Sequence, residues 1–279
     1  MATVLREAIR QETPLRTHKP VSVVRRVASA VVFALAVIAS PALAVEVADL
    51  PSASGETQHI WYDAPAKPWA VAIMFAGGNG VIPFEADGSL KGGRSPLLRT
   101  RQLWIEQGIA VLIPGRPRLS VDSYRLTDAY GQDIRALVDF ARTRASAPVW
   151  LLGNSMGTEA VASGASRLTH GEIAGVVFAA PVSHLVPRKM TESVLDPPLA
   201  AINVPALVIA HGQDDCPASP PETPARLRAS LTSAPVTELF LFTGGEPVGG
   251  PCDPTSLHAF VGLDTDLVKR VAAWMRGRN

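Results

Sequence analysis

Aromatic residues make up only 6% of this 279-residue chain, charged residues 18%, and cysteine occurs twice. Each shortage excludes something. Two cysteines cannot build a disulfide-dense scaffold, so a hydrophobic core must carry the fold. Low charge beside 47% hydrophobic residues rules out a disordered chain. The net charge is only +1, and residues 1–44, with six Lys/Arg against two Asp/Glu, hold a balance of +4 that leaves −3 on the rest. A mildly acidic body without a basic run argues against a nucleic-acid partner. Internal repeats, low-complexity tracts and a linker to a second domain are missing. So are metal-ligand spacings and a phosphate-binding glycine loop, and no cofactor or metal is expected.

Long hydrophobic runs are scarce too. The run "VASAVVFALAVIAS" after Arg25-Arg26 is too short to span a bilayer comfortably, and Pro41 with "ALA" at 42–44 follows it. A basic start, an apolar stretch and small residues are the parts of a secretory signal. Residues 1–44 are therefore expected to be a signal peptide and 45–279 a catalytic domain, periplasmic or secreted, with no membrane span in the mature chain. In that oxidising compartment Cys216 and Cys252 can pair.

What the chain has is alternation. Apolar runs at 59–62, 70–75, 110–114, 148–153, 174–181, 205–212 and 237–242 read as strands. Helical patterns fall between them at about 95–107, 129–144, 157–168, 222–232 and 263–276. Several runs are apolar throughout, as in strands buried on both faces of a parallel sheet. The expected class is α/β, with a mostly parallel central sheet flanked by helices.

At the end of one central run stands "VWLLGNSMGTEA", 149–160, with Gly153 and Gly157 two residues either side of Ser155. A strand-turn-helix elbow crowds the backbone at those flanks, and glycine relieves the crowding while the serine oxygen stays exposed. By itself G-x-S-x-G is a weak pattern. Its place at the carboxyl end of a strand, just before a helix, is where open α/β sheets put ligands.

A serine nucleophile needs a base, and the base needs an acid to orient it. His18, His59, His170, His184 and His211 sit in the leader, in strands or in loops where structural roles suffice. His258, in "CDPTSLHAF" between the last strand and the closing helix, is the expected base. For the acid, "QDDC" offers Asp214 and Asp215. Spacing from Pro205 favours Asp214, whereas the G-x-x-D pattern from Gly212 favours Asp215; Asp214 is preferred, and the other should form a turn. Oxyanion donors are expected from the Met156 amide and from the turn "FAGGNG", where Gly78 is flanked by Gly77 and Asn79.

With these residues in place the chain resembles an α/β-hydrolase from about His59 to Met275. More narrowly it is similar to small exported bacterial serine hydrolases that lack a lid, through "FAGGNG", "AHGQDDCPASP" and "CDPTSLHAF". The resemblance implies a cysteine beside the acid and another before the base, as Cys216 and Cys252 are, and the first of these spacings again supports Asp214. Acid and base loops joined by a hydrogen bond bring the two thiols within bridging range, so a Cys216–Cys252 disulfide is expected. Only residues 182–204 separate the strand ending near Pro181 from the next, too few for a cap domain.

The implied activity is hydrolysis of a small-molecule ester through an acyl-enzyme on Ser155. Rival readings are a peptidase or amidase of the same fold and a non-catalytic envelope binding protein. Arg94, Arg99 and Arg101, near the oxyanion turn, read either as a site for an acidic substrate or as a solvated helix face.

Overall fold

In the computed structural model the described residues are 45–82, 85, 87–90, 94–115, 123–169, 171–183 and 192–278. The expected signal peptide, with His18, lies outside them, as do His170 and His184. All of the described residues belong to one unit, Ser40–Asn279.

Among the described residues eight strands form one sheet: β1 (Glu46–Pro51), β2 (Thr57–Asp63), β3 (Ala70–Phe75), β4 (Ile109–Pro114), β5 (Val149–Asn154), β6 (Gly175–Ala179), β7 (Ala206–His211) and β8 (Thr237–Phe242). Their order is β1-β2-β4-β3-β5-β6-β7-β8. The first two strands pair antiparallel and β2 joins β4 antiparallel; every later pairing is parallel. Strands β3 to β7 are buried along their whole length, which is why their sequences do not alternate with polar residues.

Both faces of that sheet are covered. Val71, Ile73 and Phe75 of β3 join one core with Ile134, Leu137 and Val138 of α3 (Asp128–Arg144), Val161 of α4 (Gly157–Ala165) and Leu227 of α5 (Thr223–Ser230). The alternate residues Ala70, Ala72 and Met74 face a second core. There they meet Leu97 and Leu98 of α1 (Pro96–Arg99), Trp104 of α2 (Arg101–Glu106) and Val268, Val271 and Met275 of α6 (Asp264–Arg276). Period-two side chains on an all-apolar strand thus build two cores from one sheet.

Two details differ from the sequence reading. The expected helix at 95–107 is broken at Thr100, whose hydroxyl donates to the Pro96 carbonyl at 2.7 Å, so α1 and α2 are separate. Strand β1 was not expected; it is a half-exposed edge carrying Glu46, Asp49 and Pro51. Between β6 and β7 the described residues hold one short 3-10 turn, Leu199–Ala201, and no cap domain. None of the described helices is long and apolar enough to cross a membrane.

Candidate active site

The elbow is built by steric necessity. Ser155 has φ +53°, a left-handed backbone unusual for a residue with a side chain. A Cβ on Gly153 would lie 2.3 Å from the Gly157 carbonyl oxygen, and one on Gly157 would lie 2.0 Å from the Phe75 carbonyl oxygen. Only glycine lets β3, β5 and the start of α4 converge this closely. The Ser155 amide donates to the Ala179 carbonyl at 2.9 Å, pinning the turn to the neighbouring β6. Thr158 donates to the Ser155 carbonyl through both its amide, at 2.9 Å, and its hydroxyl, at 2.6 Å.

His258 reaches the elbow from the loop between β8 and α6. Its Nε2 lies 2.9 Å from Ser155 Oγ and its Nδ1 lies 2.7 Å from Asp214 Oδ2. Nδ1–H donating to the carboxylate leaves Nε2 as acceptor for the serine hydroxyl. Asp214 is held in turn, its Oδ1 accepting the Cys216 amide at 3.0 Å. The neighbouring Asp215 is exposed and makes no such contact. The structure therefore brings Asp214, not Asp215, to His258. The imidazole is only 3% exposed.

The turn after β3 lies against the elbow. A Cβ on Gly77 would meet Ser155 Cβ at 3.0 Å, whereas Gly78, with φ +66°, has nothing within 4 Å of that position and faces open space. Among the described residues the amides of Gly78 and Met156 have no acceptor, although the Met156 carbonyl accepts from both Glu159 N and Arg125 Nη1. Free amides beside Ser155 at a helix start are donors available to a negatively charged group.

Two fastenings hold the His258 loop. Cys216 and Cys252 form a disulfide, tying the Asp214 turn to the stretch before His258. On the other side Arg99 donates to the Pro254 carbonyl at 2.8 Å and to the Ala259 carbonyl at 2.6 Å. It also pairs with Asp264 at the start of α6 at 2.7 Å. The sequence offered a substrate anchor or a solvated helix face for Arg99; in the structure its guanidinium braces the His258 loop. Arg101 lies over the Trp61 ring, 5.7 Å from its centroid. His211 is structural, its Nε2–H donating to the Gly244 carbonyl while Nδ1 accepts the Gln213 amide.

A buried ion pair under the elbow escaped the sequence analysis: Arg125 Nη1 donates to Glu159 Oε2 at 2.9 Å. The signal was present, since Glu159 stands in a stretch of α4, "GTEAVASGA", whose every residue is buried. Among the described residues no cluster of His, Cys, Asp or Glu suits a metal ion.

Ser155 thus follows β5, Asp214 follows β7 and His258 follows β8 of this sheet. One solved structure it matches is a cold-adapted esterase from an Arctic intertidal metagenomic library, with TM-score 0.58 at 15% identity over 85% of this chain and 95% of the other. The chain has the α/β-hydrolase fold. An α/β serine hydrolase without a lid from Xanthomonas campestris also matches, with TM-score 0.53 at 17% identity over 84% and 93%. A Pyrococcus furiosus esterase reaches TM-score 0.61 at 14% identity over 84% and 91%. No protein-family model and no curated protein sequence matches. The α/β-hydrolase fold is thus shared at identities where sequence similarity alone is silent, and it fixes no substrate.

Proposed function

We propose that this protein is an exported serine hydrolase that cleaves a small-molecule ester through an acyl-enzyme. The observation that carries the reading is the continuous hydrogen-bonded chain Ser155–His258–Asp214 on the strained elbow. In this reading Ser155 Oγ attacks the carbonyl carbon as His258 Nε2 takes its proton. The imidazolium, steadied by Asp214, then returns that proton to the leaving alkoxide. A water activated by the same histidine hydrolyses the acyl-enzyme. The free amides of Met156 and Gly78 are suited to the oxyanion. Met156, Val182, Cys216 and Ala218 form a small apolar cluster beside the nucleophile, a wall that favours an uncharged acyl group. Export is supported by the leader sequence and by a disulfide, which persists in oxidising compartments.

A fluorophosphonate probe tests the reading. Labelling of Ser155 in the mature protein, absent from Ser155→Ala, is expected. No labelling would favour a non-catalytic binding protein. A panel of esters of graded acyl length, run beside matched amides, then separates an esterase from an amidase. The intact mass of the exported protein checks the leader, with Val45 as the expected first residue.

The disulfide contributes to both stability and rate in this reading. Its cysteines are 36 residues apart, and closing such a loop is worth roughly 3–4 kcal/mol in the chain-entropy model. Confirmed reduction is expected to lower Tm by roughly 10 °C and kcat by about 10–100-fold, because a small displacement of the imidazole disrupts proton transfer. Unchanged kcat after complete reduction, shown by thiol titration, would remove the catalytic part of this expectation.

A further inference from the structure

Beneath the elbow, two carboxyl groups meet in the interior. Glu159 of α4 is fully buried, and Glu192, in the crossover from β6 to β7, is 6% exposed. One oxygen of Glu159 is accounted for by Arg125. The other, Oε1, is buried without a partner, and so is Oε1 of Glu192. Glu192 acts on Glu159 both through its charge and as a hydrogen-bonding neighbour. Two buried carboxyls that act on each other, each with an oxygen lacking a donor among the described residues, cannot both be ionised at tolerable cost.

We propose that Glu159 and Glu192 share one proton, and that the resulting O–H···O bond is a protonation-gated tether between the elbow helix and the β6–β7 crossover. One proton satisfies both orphan oxygens at once. It leaves one negative charge on the pair, which the Arg125 guanidinium neutralises. Transfer of the proton to solvent hydroxide gives water and two carboxylates beside one guanidinium, a buried net charge of −1. Among the described residues the charged and titratable groups facing the pair are Arg125 and, beyond it, Tyr130 of α3. Burial pushes the Glu159 carboxyl up to about 8, against the pull of Arg125 and with the help of Glu192.

The tether reaches two functional parts of the fold. Arg125 donates from one nitrogen to both Glu159 and the Met156 carbonyl, in the first turn after the nucleophile. Two residues beyond Glu192, the Val194 amide donates to the Val182 carbonyl at 3.0 Å, three residues after β6. Ionisation of the pair therefore loosens the Val194–Val182 bond and the elbow together. The inference stands whether or not the site hydrolyses esters.

The sign follows from proton binding. Between about 4.5, the ordinary value, and about 8 the folded state holds a proton that the unfolded chain has released. The stabilisation is therefore complete below that window, falls as pH rises through it, and is gone above it. Glu192→Gln replaces the shared proton by an amide N–H that donates permanently to Glu159, so its contribution should not titrate.

The test uses the folded mature protein. Wild-type Tm is expected to fall between pH 6 and pH 9 by roughly 5–10 °C more than that of Glu192→Gln. Protection of the Val194 amide against hydrogen exchange should fall in the same range, in the wild type only. Infrared spectroscopy at pH 7 should show a protonated carboxyl band that titrates near pH 8 and is absent from Glu192→Gln. Parallel Tm curves with no such band overturn the proposal, and a band that survives in Glu192→Gln overturns it too. Should Glu192→Gln fail to fold, Glu159→Gln is read in the same way, and the wild-type band decides on its own.

Discussion

Ser155→Ala is expected to lower kcat by on the order of 10⁴–10⁶-fold while leaving Tm within about 2 °C of wild type. The serine hydroxyl lies on the rim of the sheet, and its removal leaves no hole in either core. His258→Ala should be about as severe, and the double variant no worse than either alone, because the proposed triad works as a unit. Asp214→Asn should cost about 10³–10⁴-fold, since the amide presents the wrong partner to Nδ1–H and favours the other tautomer. Asp215→Asn should stay near wild type, as that side chain is exposed and away from the imidazole. Steady-state kinetics on the four single variants check the series. Loss in Asp215→Asn with near-normal turnover in Asp214→Asn would show that the resting geometry is not the working one.

Among these substitutions the largest effect on stability should come from Gly157→Ala. Its new methyl would stand 2.0 Å from the Phe75 carbonyl oxygen and 3.0 Å from that of Ala76. Those are backbone atoms of a buried strand end, and no rotamer change relieves the contact. A cost of about 3 kcal/mol or more is expected, read as a Tm loss of roughly 6–12 °C. Turnover should fall as well, because relief of the clash drives the turn carrying Gly77 and Gly78 away from Ser155. Gly212→Ala is the control, with its nearest neighbours at 3.7 Å, and should change stability by no more than about 0.5 kcal/mol. Thermal unfolding of the two variants side by side makes the comparison. Equal Tm values would mean that the elbow yields more easily than its packing implies.

The buried strands were legible because burial on both faces leaves a plain chemical mark: runs such as "AVAIMF" with no polar residue in them. Strand β1 left no such mark, since an antiparallel edge half open to water tolerates Glu46, Asp49 and Pro51. The elbow was legible for a different reason. Its glycines answer a local crowding that any strand-turn-helix of this kind must meet. The acid was harder. Spacing along the chain gave two answers, and the choice depends on which carboxylate turns inward. Asp214 does so by accepting the Cys216 amide with one oxygen and His258 with the other. Arg99 was misread because its partners, Pro254 and Ala259, are at least 155 residues away. A helix-face argument sees only neighbours within a turn or two.

The disulfide has a topological consequence. Between Cys216 and Cys252 the chain runs through α5 and then β8, the last strand of the sheet, which has β7 as its sole neighbour in the strand order. An edge strand of that kind is ordinarily the part of a sheet most easily lent to a second molecule. Here both of its flanks return to one covalent ring that is anchored beside Asp214. To donate β8 to another copy, the molecule would have to carry the whole ring with it and tear the acid turn from the base loop. While the bridge is intact, β8 is closed to strand exchange. Reduction, besides loosening His258, would unlock that exchange.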